Sequence, residues 1–218
     1  MKEIVLTGFD DLDYQMNGFR ESELILIAAR PSMGKRSFAL NVAHNVTTNQ
    51  NIPTLFFSLE MSKEQLLNRI NNMSWQNKEK LIIDDEPGIS VDELISKSRR
   101  YKEEKDIGLI VIDYLQVLWD KGNVSRQLEM TIITQKLNKF ACEMSIPIII
   151  ISQLPRMIDR RENRKPTLQD LRYFGAIEQE FDTIIYLYRD EIYNNDTDRK
   201  GIAEIIVPKC HGRSVADV

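Results

Sequence analysis

Residues 29–37 read Ala29-Arg30-Pro31-Ser32-Met33-Gly34-Lys35-Arg36-Ser37. An apolar run at residues 23–29 leads into this stretch, and residues 37–46 continue it with apolar side chains at helical spacing. A glycine and a lysine at the turn from a buried strand to a helix are typical of a phosphate-binding loop, whose backbone N–H groups meet anionic oxygens. The alternative is a chance Gly-Lys pair at such a turn. We predict a nucleotide site to which every residue of the stretch contributes.

Apolar runs and amphipathic stretches alternate along the rest of the chain. Further strands are predicted at residues 53–57, 81–83, 108–112, 147–151, 183–188 and 202–207, the last in a hairpin with a partner near Ser214. Helices are predicted from Ser62 and over residues 90–101 and 126–144, and residues 156–166 are predicted to form an exposed loop. The alternation indicates an α/β fold: a mainly parallel twisted sheet, helices on both faces and a C-terminal antiparallel hairpin.

Length and composition limit the class of protein. The chain has 218 residues, which suits a single domain, and a net charge of −4, so a nucleic-acid site must be a local basic patch or arise on assembly. No apolar run reaches the roughly 20 residues that span a bilayer, and the first residues do not resemble a signal peptide. Cys142 and Cys210 have no metal-ligand spacing. We therefore expect a cytoplasmic protein with two reduced thiols and no membrane partner.

Polar residues stand at the ends of several predicted strands, where parallel α/β sheets bind their ligands. Glu60 is placed to orient a water for attack on a γ-phosphate, although it could instead cap the helix that begins at Ser62. Asp113 is placed to hold Mg²⁺ directly or through water. Gln153 is placed to contact the γ-phosphate and report its loss, or is simply a satisfied amide at a strand end.

Arg36 departs from the usual phosphate-loop pattern. That pattern follows its lysine with Ser or Thr, whose hydroxyl binds Mg²⁺. Here the hydroxyl comes one residue later, at Ser37, and one residue along a helix is a rotation of about 100°. Asp113 and Ser37 remain the candidate metal ligands, but Arg36 weakens the case for ordinary Mg²⁺-dependent turnover.

A basic stretch follows the strand predicted at residues 147–151. Its cationic residues are Arg156, Arg160, Arg161, Arg164, Lys165 and Arg172. Such a cluster can neutralise the phosphates of a nucleic-acid strand, although a charge run is often only a solvated loop. Because Tyr173 and Phe174 are the aromatic residues nearby, binding of the nucleic-acid backbone is favoured over reading of bases.

Several motifs occur together and in one order. They are Ala-Arg-Pro-Ser-Met-Gly-Lys, Phe-Ser-Leu-Glu-Met, Ile-Asp-Tyr-Leu-Gln, Ser-Gln-Leu, Asp-Leu-Arg with Gly-x-Ile-Glu-Gln, and Tyr-Arg-Asp-Glu. This set resembles the C-terminal motor domain of DnaB-type replicative DNA helicases, including phage and prophage versions. The resemblance covers residues 7–209, which is nearly the whole chain.

The resemblance implies a RecA-like ATPase core that assembles as a homo-hexameric ring, with ATP between subunits and single-stranded DNA in the channel. It implies that Lys35 binds ATP phosphates, Glu60 is the catalytic base, Asp113 supports Mg²⁺ and Gln153 senses the γ-phosphate. Arg189, in the Tyr-Arg-Asp-Glu motif, is implied as a further nucleotide contact.

The same likeness divides the chain into a linker segment at residues 1–20 and an ATPase domain at residues 21–218. The linker is expected to pack on a neighbouring subunit. Arg172 and Gly175 match the channel loop that follows the DNA backbone, beside the basic stretch that precedes it. Primase and a helicase loader are expected partners through the full-length protein, because the family's N-terminal primase-contacting domain is absent from this sequence.

The chain also departs from the family pattern. Where the family shows Gly-Lys-Gln-Arg, reaching the neighbour's ATP, this chain reads Pro-Lys-Cys-His. Lys209 matches, His211 takes the finger position, and Arg213 is a displaced candidate. Tyr173-Phe174 replace Glu-Ser, and residues 61–81 are shorter than usual. Two alternatives remain: a hydrolysis-impaired RecA-like subunit with a structural or regulatory role, and a recombinase-like or clock-type RecA relative.

Overall fold

The computed structural model describes residues 4–71, 75–122, 124–175 and 177–214. The α-helices are α1 (Asp10–Met16), α2 (Lys35–Asn49), α3 (Lys63–Asn71), α4 (Val91–Lys105) and α5 (Arg126–Met144). The strands are β1 (Ile4–Val5), β2 (Phe19–Arg20), β3 (Leu24–Ala29), β4 (Thr54–Ser58), β5 (Leu81–Asp84), β6 (Leu109–Asp113), β7 (Ile148–Gln153), β8 (Thr183–Tyr188), β9 (Glu204–Cys210) and β10 (Arg213–Ser214). Short 3-10 helices lie between them, among them Arg156–Arg160 and Leu168–Phe174.

Strands β3 to β10 form one sheet in the order β10-β9-β8-β3-β7-β6-β4-β5. The pairs from β8 through β5 are parallel, whereas β9 runs antiparallel to both β8 and β10. β1 and β2 form a separate antiparallel pair. The predicted α/β fold, a mainly parallel sheet with a C-terminal antiparallel hairpin, is confirmed.

Two apolar layers cover the sheet because successive side chains of a strand point to opposite faces. Leu24 and Leu26 pack on the face that α4 and α5 cover, with Leu137 of α5. Ile25, between them, packs on the other face with Val42 of α2. Every residue of β3 is fully buried. Burial on both faces explains why the strands read as continuous apolar runs rather than as alternating ones.

The register of the parallel strands brings their carboxyl ends to one edge of the sheet. Ala29, the last residue of β3, is aligned with Gln153, the last residue of β7. Asp113, which ends β6, is aligned with Ser58 of β4 and with Ile151 of β7. The loop after β3 and the ends of β4, β6 and β7 therefore meet at the edge where parallel sheets bind ligands.

Residues 4–20 pack on the core of their own chain. Val5, Leu12 and Met16 are buried in the apolar layer that also contains α2. The ring of Phe9 stacks on that of Phe38, with centroids 5.1 Å apart. The described part of the expected linker segment thus covers α2.

The described residues also bear on the predictions about membrane spans and cysteines. No helix in the described ranges is long and apolar enough to cross a membrane. Cys142 is exposed, Cys210 is half-buried, and both are free cysteines, which confirms the prediction of two unpaired thiols. Burial raises the pKa of the Cys210 thiol, so this cysteine stays protonated near neutral pH.

The prediction of an exposed loop at residues 156–166 is wrong in part. Its first residues form the 3-10 helix Arg156–Arg160, and Ile158 within it is fully buried. The Asp159 carboxylate accepts hydrogen bonds from the Arg30 side chain, which ties this helix to the loop after β3. The adjacent Met157 and Ile158 form no periodic pattern in this polar stretch, so the sequence does not show that Ile158 is the buried one.

A capping box begins α4, as its Ser-x-x-Glu sequence predicts. The Ser90 Oγ accepts from the Glu93 backbone N at 3.3 Å, and the Glu93 carboxylate accepts from the Ser90 backbone N at 2.9 Å. Ser90→Ala is expected to lower the free energy of unfolding by about 1 kcal/mol, because a helix N–H loses its partner. Urea denaturation measures this. Ser96→Ala, an exposed position on the same helix, is the control, and equal losses in both variants would contradict the capping role.

Candidate nucleotide site

The loop between β3 and α2 has the backbone of a phosphate-binding loop. Gly34 has φ of 95° and Ser32 has φ of 65°, both in the left-handed region. A Cβ at Gly34 would meet nothing within 4 Å, so glycine is favoured here by backbone conformation and not by space. α2 begins directly afterwards at Lys35, which points the N–H groups of its first turn at the edge of the sheet.

Lys35 lies across this loop. Its Nζ donates to the backbone oxygens of Ala29 at 3.1 Å and Arg30 at 3.0 Å. Burial lowers the pKa of Lys35 to about 8, and the nearby Asp113 carboxylate opposes this decrease. The ammonium is thus held over the loop and is charged at neutral pH, as a phosphate contact requires.

Nucleotide affinity is expected to fall with rising pH. Above its pKa of about 8 the free Lys35 amine is neutral, so binding of an anionic phosphate must be accompanied by uptake of a proton. The dissociation constant of a fluorescent ATP analogue should rise about tenfold between about pH 7 and about pH 9. Lys35→Arg, which keeps its charge over this range, is the matched control and should bind without that dependence. An unchanged wild-type affinity would contradict the assignment.

Arg36 connects the two strand-end carboxylates. Its Nε donates to Oδ2 of Asp113 and its Nη2 donates to Oε2 of Glu60, while Nη1 lies 3.1 Å from the sulfur of Met61. The Asp113 side chain is 2% exposed, whereas that of Glu60 is 53% exposed. Burial raises the pKa of the Asp113 carboxyl, and the Arg36 guanidinium opposes this rise. Arg36 therefore neutralises the acidic side of the site.

Glu60 does not cap α3. That position belongs to Ser62, whose Oγ accepts from the Gln65 backbone N at 3.3 Å, while the Gln65 side chain accepts from the Ser62 backbone N at 3.2 Å. The predicted capping box is therefore confirmed without Glu60. The Glu60 carboxylate faces the cavity described below.

Gln153 is held at the end of β7 by Gln116. The side-chain Nε2 of Gln116 donates to Ser152 Oγ at 2.7 Å and to the Gln153 backbone oxygen at 3.1 Å. Its Oε1 accepts from the Gln153 backbone N at 3.3 Å. Sequence reasoning missed this role of Gln116, although the residue closes the Ile-Asp-Tyr-Leu-Gln motif. The clamp fixes the backbone of Gln153, whose side chain is exposed at the cavity.

One cavity of about 460 Å³ collects these residues, within the range of small-molecule sites. Its lining consists of Pro31, Ser32, Gly34, Lys35, Arg36, Ser37, Glu60, Arg69, Asp113, Tyr114, Ile151, Gln153 and Arg189. Arg69, Tyr114 and Ile151 were not predicted as site residues. Ala29 and Met33 are buried beneath the loop. The Arg30 guanidinium turns away to Asp159 and to the Leu154 backbone oxygen, so Arg30 supports the loop.

The sequence of this domain matches one protein family along most of its length. Residues 5–76 and 70–216 match the family model described as the DnaB-like helicase C terminal domain. The chain belongs to the DnaB-like helicase C-terminal domain family. It is 40% identical over 240 aligned residues to the replicative DNA helicase DnaB of Geobacillus stearothermophilus and 39% identical to the replicative DNA helicase DnaC of Bacillus subtilis. Each match covers 97% of this chain and 53% of the relative, so the chain spans about half the length of these curated relatives.

Solved structures give the same family. A DnaB-like replicative helicase, described with its interactions with primase, superposes with a TM-score of 0.86 and 33% identity over 95% of this chain and 57% of that one. A separately solved ATPase domain superposes with a TM-score of 0.85 and 32% identity, covering 97% of this chain and 84% of that one. A KaiC-like protein from Pyrococcus horikoshii, at 19% identity and a TM-score of 0.74, shares the RecA-like fold. The predicted family and RecA-like core are confirmed.

In this DnaB-like domain, the predicted DNA contacts fall into two groups. Arg156 and Arg160 are exposed and line a second cavity of about 530 Å³, which shares Tyr114 and Gln153 with the first. The exposed Tyr173 also lines it.

The second group is engaged within the subunit. Arg161 forms two hydrogen bonds with the Asp170 carboxylate, each of 3.0 Å, and the Arg164 guanidinium lies 4.9 Å from the centre of the Tyr193 ring. Arg172 pairs with Glu178 at 3.4 Å but is largely exposed.

Gly175 packs closely on α5. It has φ of 103°, and a Cβ there would approach the Thr131 hydroxyl to 2.8 Å and the Gln127 backbone oxygen to 3.0 Å. This glycine is required for both its backbone conformation and its close contact. It fixes the end of the 3-10 helix Leu168–Phe174 against α5.

Three C-terminal residues of the DnaB-like domain were predicted to contact a neighbouring subunit's ATP, and their side chains have different surroundings. His211 Nδ1 donates to the Glu23 carboxylate, and Nε2 lies 2.5 Å from the Met16 backbone oxygen. The His211 ring therefore contacts its own subunit in this structure. Lys209 donates to the backbone oxygens of Glu178 at 3.1 Å and Gln179 at 3.4 Å. Arg213, on β10, is exposed.

Proposed function

We propose that this domain is the ATP-driven motor of a ring-shaped replicative DNA helicase that translocates on single-stranded DNA and separates duplex DNA. One observation carries the proposal: Lys35, at the start of α2, lines one cavity with Glu60, Asp113 and Gln153, which come from the carboxyl ends of β4, β6 and β7. The relatives, which are named replicative DNA helicases, support it. They do not favour the alternative of a purely structural, hydrolysis-impaired subunit.

In this proposal the loop and the first turn of α2 bind the ATP phosphates, with Lys35 as the cationic contact and Arg189 as a further contact in the same cavity. Arg189 is fixed there by an ion pair with Glu191 and by its backbone N, which lies 3.3 Å from the Met33 sulfur. Glu60 acts as general base on the attacking water. Gln153, fixed through its backbone, contacts the γ-phosphate and responds to its loss.

The predicted metal ligands of this site are Asp113 and Ser37. RecA-like ATPases of this family generally use nucleotide with Mg²⁺. The Asp113 carboxylate is of the right chemistry, but its Oδ2 already accepts from Arg36, and the exposed Ser37 is one residue beyond the usual hydroxyl position. The described residues contain no cluster of three or more His, Cys, Asp or Glu side chains suited to a metal. The side chains as arranged do not fit Mg²⁺.

DNA is proposed to follow the second cavity. Arg156 and Arg160 supply the exposed charges there, and Arg172, with Gly175 holding its segment, supplies the channel loop. Arg161 and Arg164 support this face from within. Backbone phosphates are the expected contacts of Arg156 and Arg160, because guanidinium groups neutralise phosphate charge and match the geometry of phosphate oxygens.

Assembly is proposed to be a homo-hexamer, with ATP between subunits. Lys209 and the exposed Arg213 are the candidates for contact with a neighbour's ATP, and residues 1–20 are proposed to contact a neighbouring subunit. Primase and a loader would act through a longer protein, and the expected location is the cytoplasm of a bacterial or phage-infected cell.

The test is an ATPase assay with and without single-stranded DNA, together with mass measurement of the assembly. We expect turnover that single-stranded DNA stimulates and a particle six times the subunit mass at high protein concentration. Hexamers without any ATPase activity would contradict the active motor, and an open filament would favour a recombinase-like relative.

A further inference from the structure

We propose that the Arg36 guanidinium is the resident cation of this nucleotide site, so that the domain binds ATP without a divalent metal ion. The inference rests on the proposed function, because it takes ATP to bind at the loop after β3. It goes beyond that function by assigning to a side chain the charge neutralisation that Mg²⁺ supplies in other phosphate-loop sites.

The position of Arg36 is the first argument. It directly follows Lys35 on the first turn of α2 and lines the cavity together with it. Its guanidinium lies between the ends of β4 and β6, on the Glu60 and Asp113 carboxylates. Because Asp113 is buried, this contact neutralises a charge that water cannot solvate. A cation is thus already in place where acidic residues and phosphates must meet.

The donor count of a guanidinium is the second argument. The group has five N–H donors in a planar fork that matches carboxylate and phosphate oxygens. Nε donates to Asp113, one N–H of Nη2 donates to Glu60, and one N–H of Nη1 points to the Met61 sulfur. One N–H therefore remains on each terminal nitrogen. These two donors allow Arg36 to bind phosphate oxygens while it keeps the carboxylates neutralised.

Competition for Asp113 is the third argument. Mg²⁺ requires near-octahedral oxygen ligands at about 2.0–2.1 Å and gives up its water reluctantly. Oδ2 of Asp113 is occupied by the Arg36 Nε, and a divalent ion beside a guanidinium would be repelled. Lys35 adds a second positive charge to the same cavity. The wild-type site therefore favours its own cations over a metal ion.

The experiment measures binding, so it does not depend on turnover. The 218-residue chain is titrated with a fluorescent ATP analogue in buffer with Mg²⁺ and in buffer with excess EDTA. For the wild type we expect dissociation constants that agree within about twofold, and for Arg36→Thr an affinity about tenfold weaker in EDTA than in Mg²⁺. The matched control is Arg99→Thr, which removes an exposed arginine from α4, outside the cavity, and should behave as the wild type.

The outcomes distinguish failure of the inference about Arg36 from failure of the proposed ATPase function. Wild-type binding in Mg²⁺ but not in EDTA would overturn the inference and leave the proposed ATPase intact. No binding in either buffer would overturn both. Mg²⁺-independent binding in Arg36→Thr as well would overturn the role of Arg36. Thermal unfolding shows whether each variant is folded, and Arg36→Gln, a second neutral replacement that is longer than threonine, substitutes if the threonine variant is not.

Discussion

Glu60→Gln is expected to lower ATP turnover about a thousandfold, in the middle of the range that positioned general bases supply. The glutamine keeps the shape of the side chain but cannot accept a proton from water. Because Lys35 and the loop make the proposed phosphate contacts, nucleotide affinity should change by less than about threefold. Phosphate release at saturating ATP measures turnover, and titration of a fluorescent ATP analogue measures affinity.

The matched control for this loss is Glu64→Gln. Glu64 is an exposed carboxylate in the first turn of α3, close to Glu60 in sequence but not among the residues that line the cavity. It should keep wild-type turnover. If Glu60→Gln retained more than about a third of the activity, Glu60 could not be the base, and a water oriented by another group would have to replace it.

Arg36→Thr is expected to raise ATP turnover about tenfold, which corresponds to about 1.4 kcal/mol of barrier. In the wild type the guanidinium binds the Glu60 carboxylate and so competes with the attacking water for it. Glu60 is half exposed, so solvent screening weakens this ion pair. The Arg36 side chain is nevertheless held in place by its second ion pair, with the buried Asp113. Threonine removes the competitor and restores a hydroxyl beside Lys35. Phosphate release in Mg²⁺ buffer measures the gain.

A double variant tests whether Arg36 acts through Glu60. If it does, Arg36→Thr with Glu60→Gln should have the low turnover of Glu60→Gln alone, because the carboxylate that removal of Arg36 would free is already absent. Arg36→Lys, which keeps the charge without the planar fork, should stay nearer the wild type than threonine. Unchanged or lower turnover in Arg36→Thr would show that Arg36 does not restrain the base.

Much of the fold could be predicted from local patterns. The helix at Arg126–Met144 and the strand at Thr183–Tyr188 have the predicted bounds, because the helix has apolar residues at helical spacing and the strand is a continuous apolar run. α2 begins two residues earlier than predicted, at Lys35. Its first turn is polar and carries no apolar signal, so only the loop geometry shows where the helix starts.

The location of the site was also predictable, and its residue roles stay predictions. Polar residues that follow apolar strands gather at one edge of a parallel sheet, and Glu60, Asp113 and Gln153 do line one cavity with Lys35. Pairings within the basic stretch were not predictable. Arg161 bonds to Asp170, a contact that its charge alone does not distinguish from a contact with phosphate.

The sequence by itself therefore establishes the α/β fold, the phosphate-type loop and the edge of the sheet at which the chemistry takes place. These follow from the periods of strands and helices, which are local properties of the chain. The folded chain alone shows that Arg36 meets Asp113, 77 positions away, and that His211 turns inward to Glu23, 188 positions away. Contacts of this kind depend on strand register and on the direction in which each side chain packs, and no linear pattern records either.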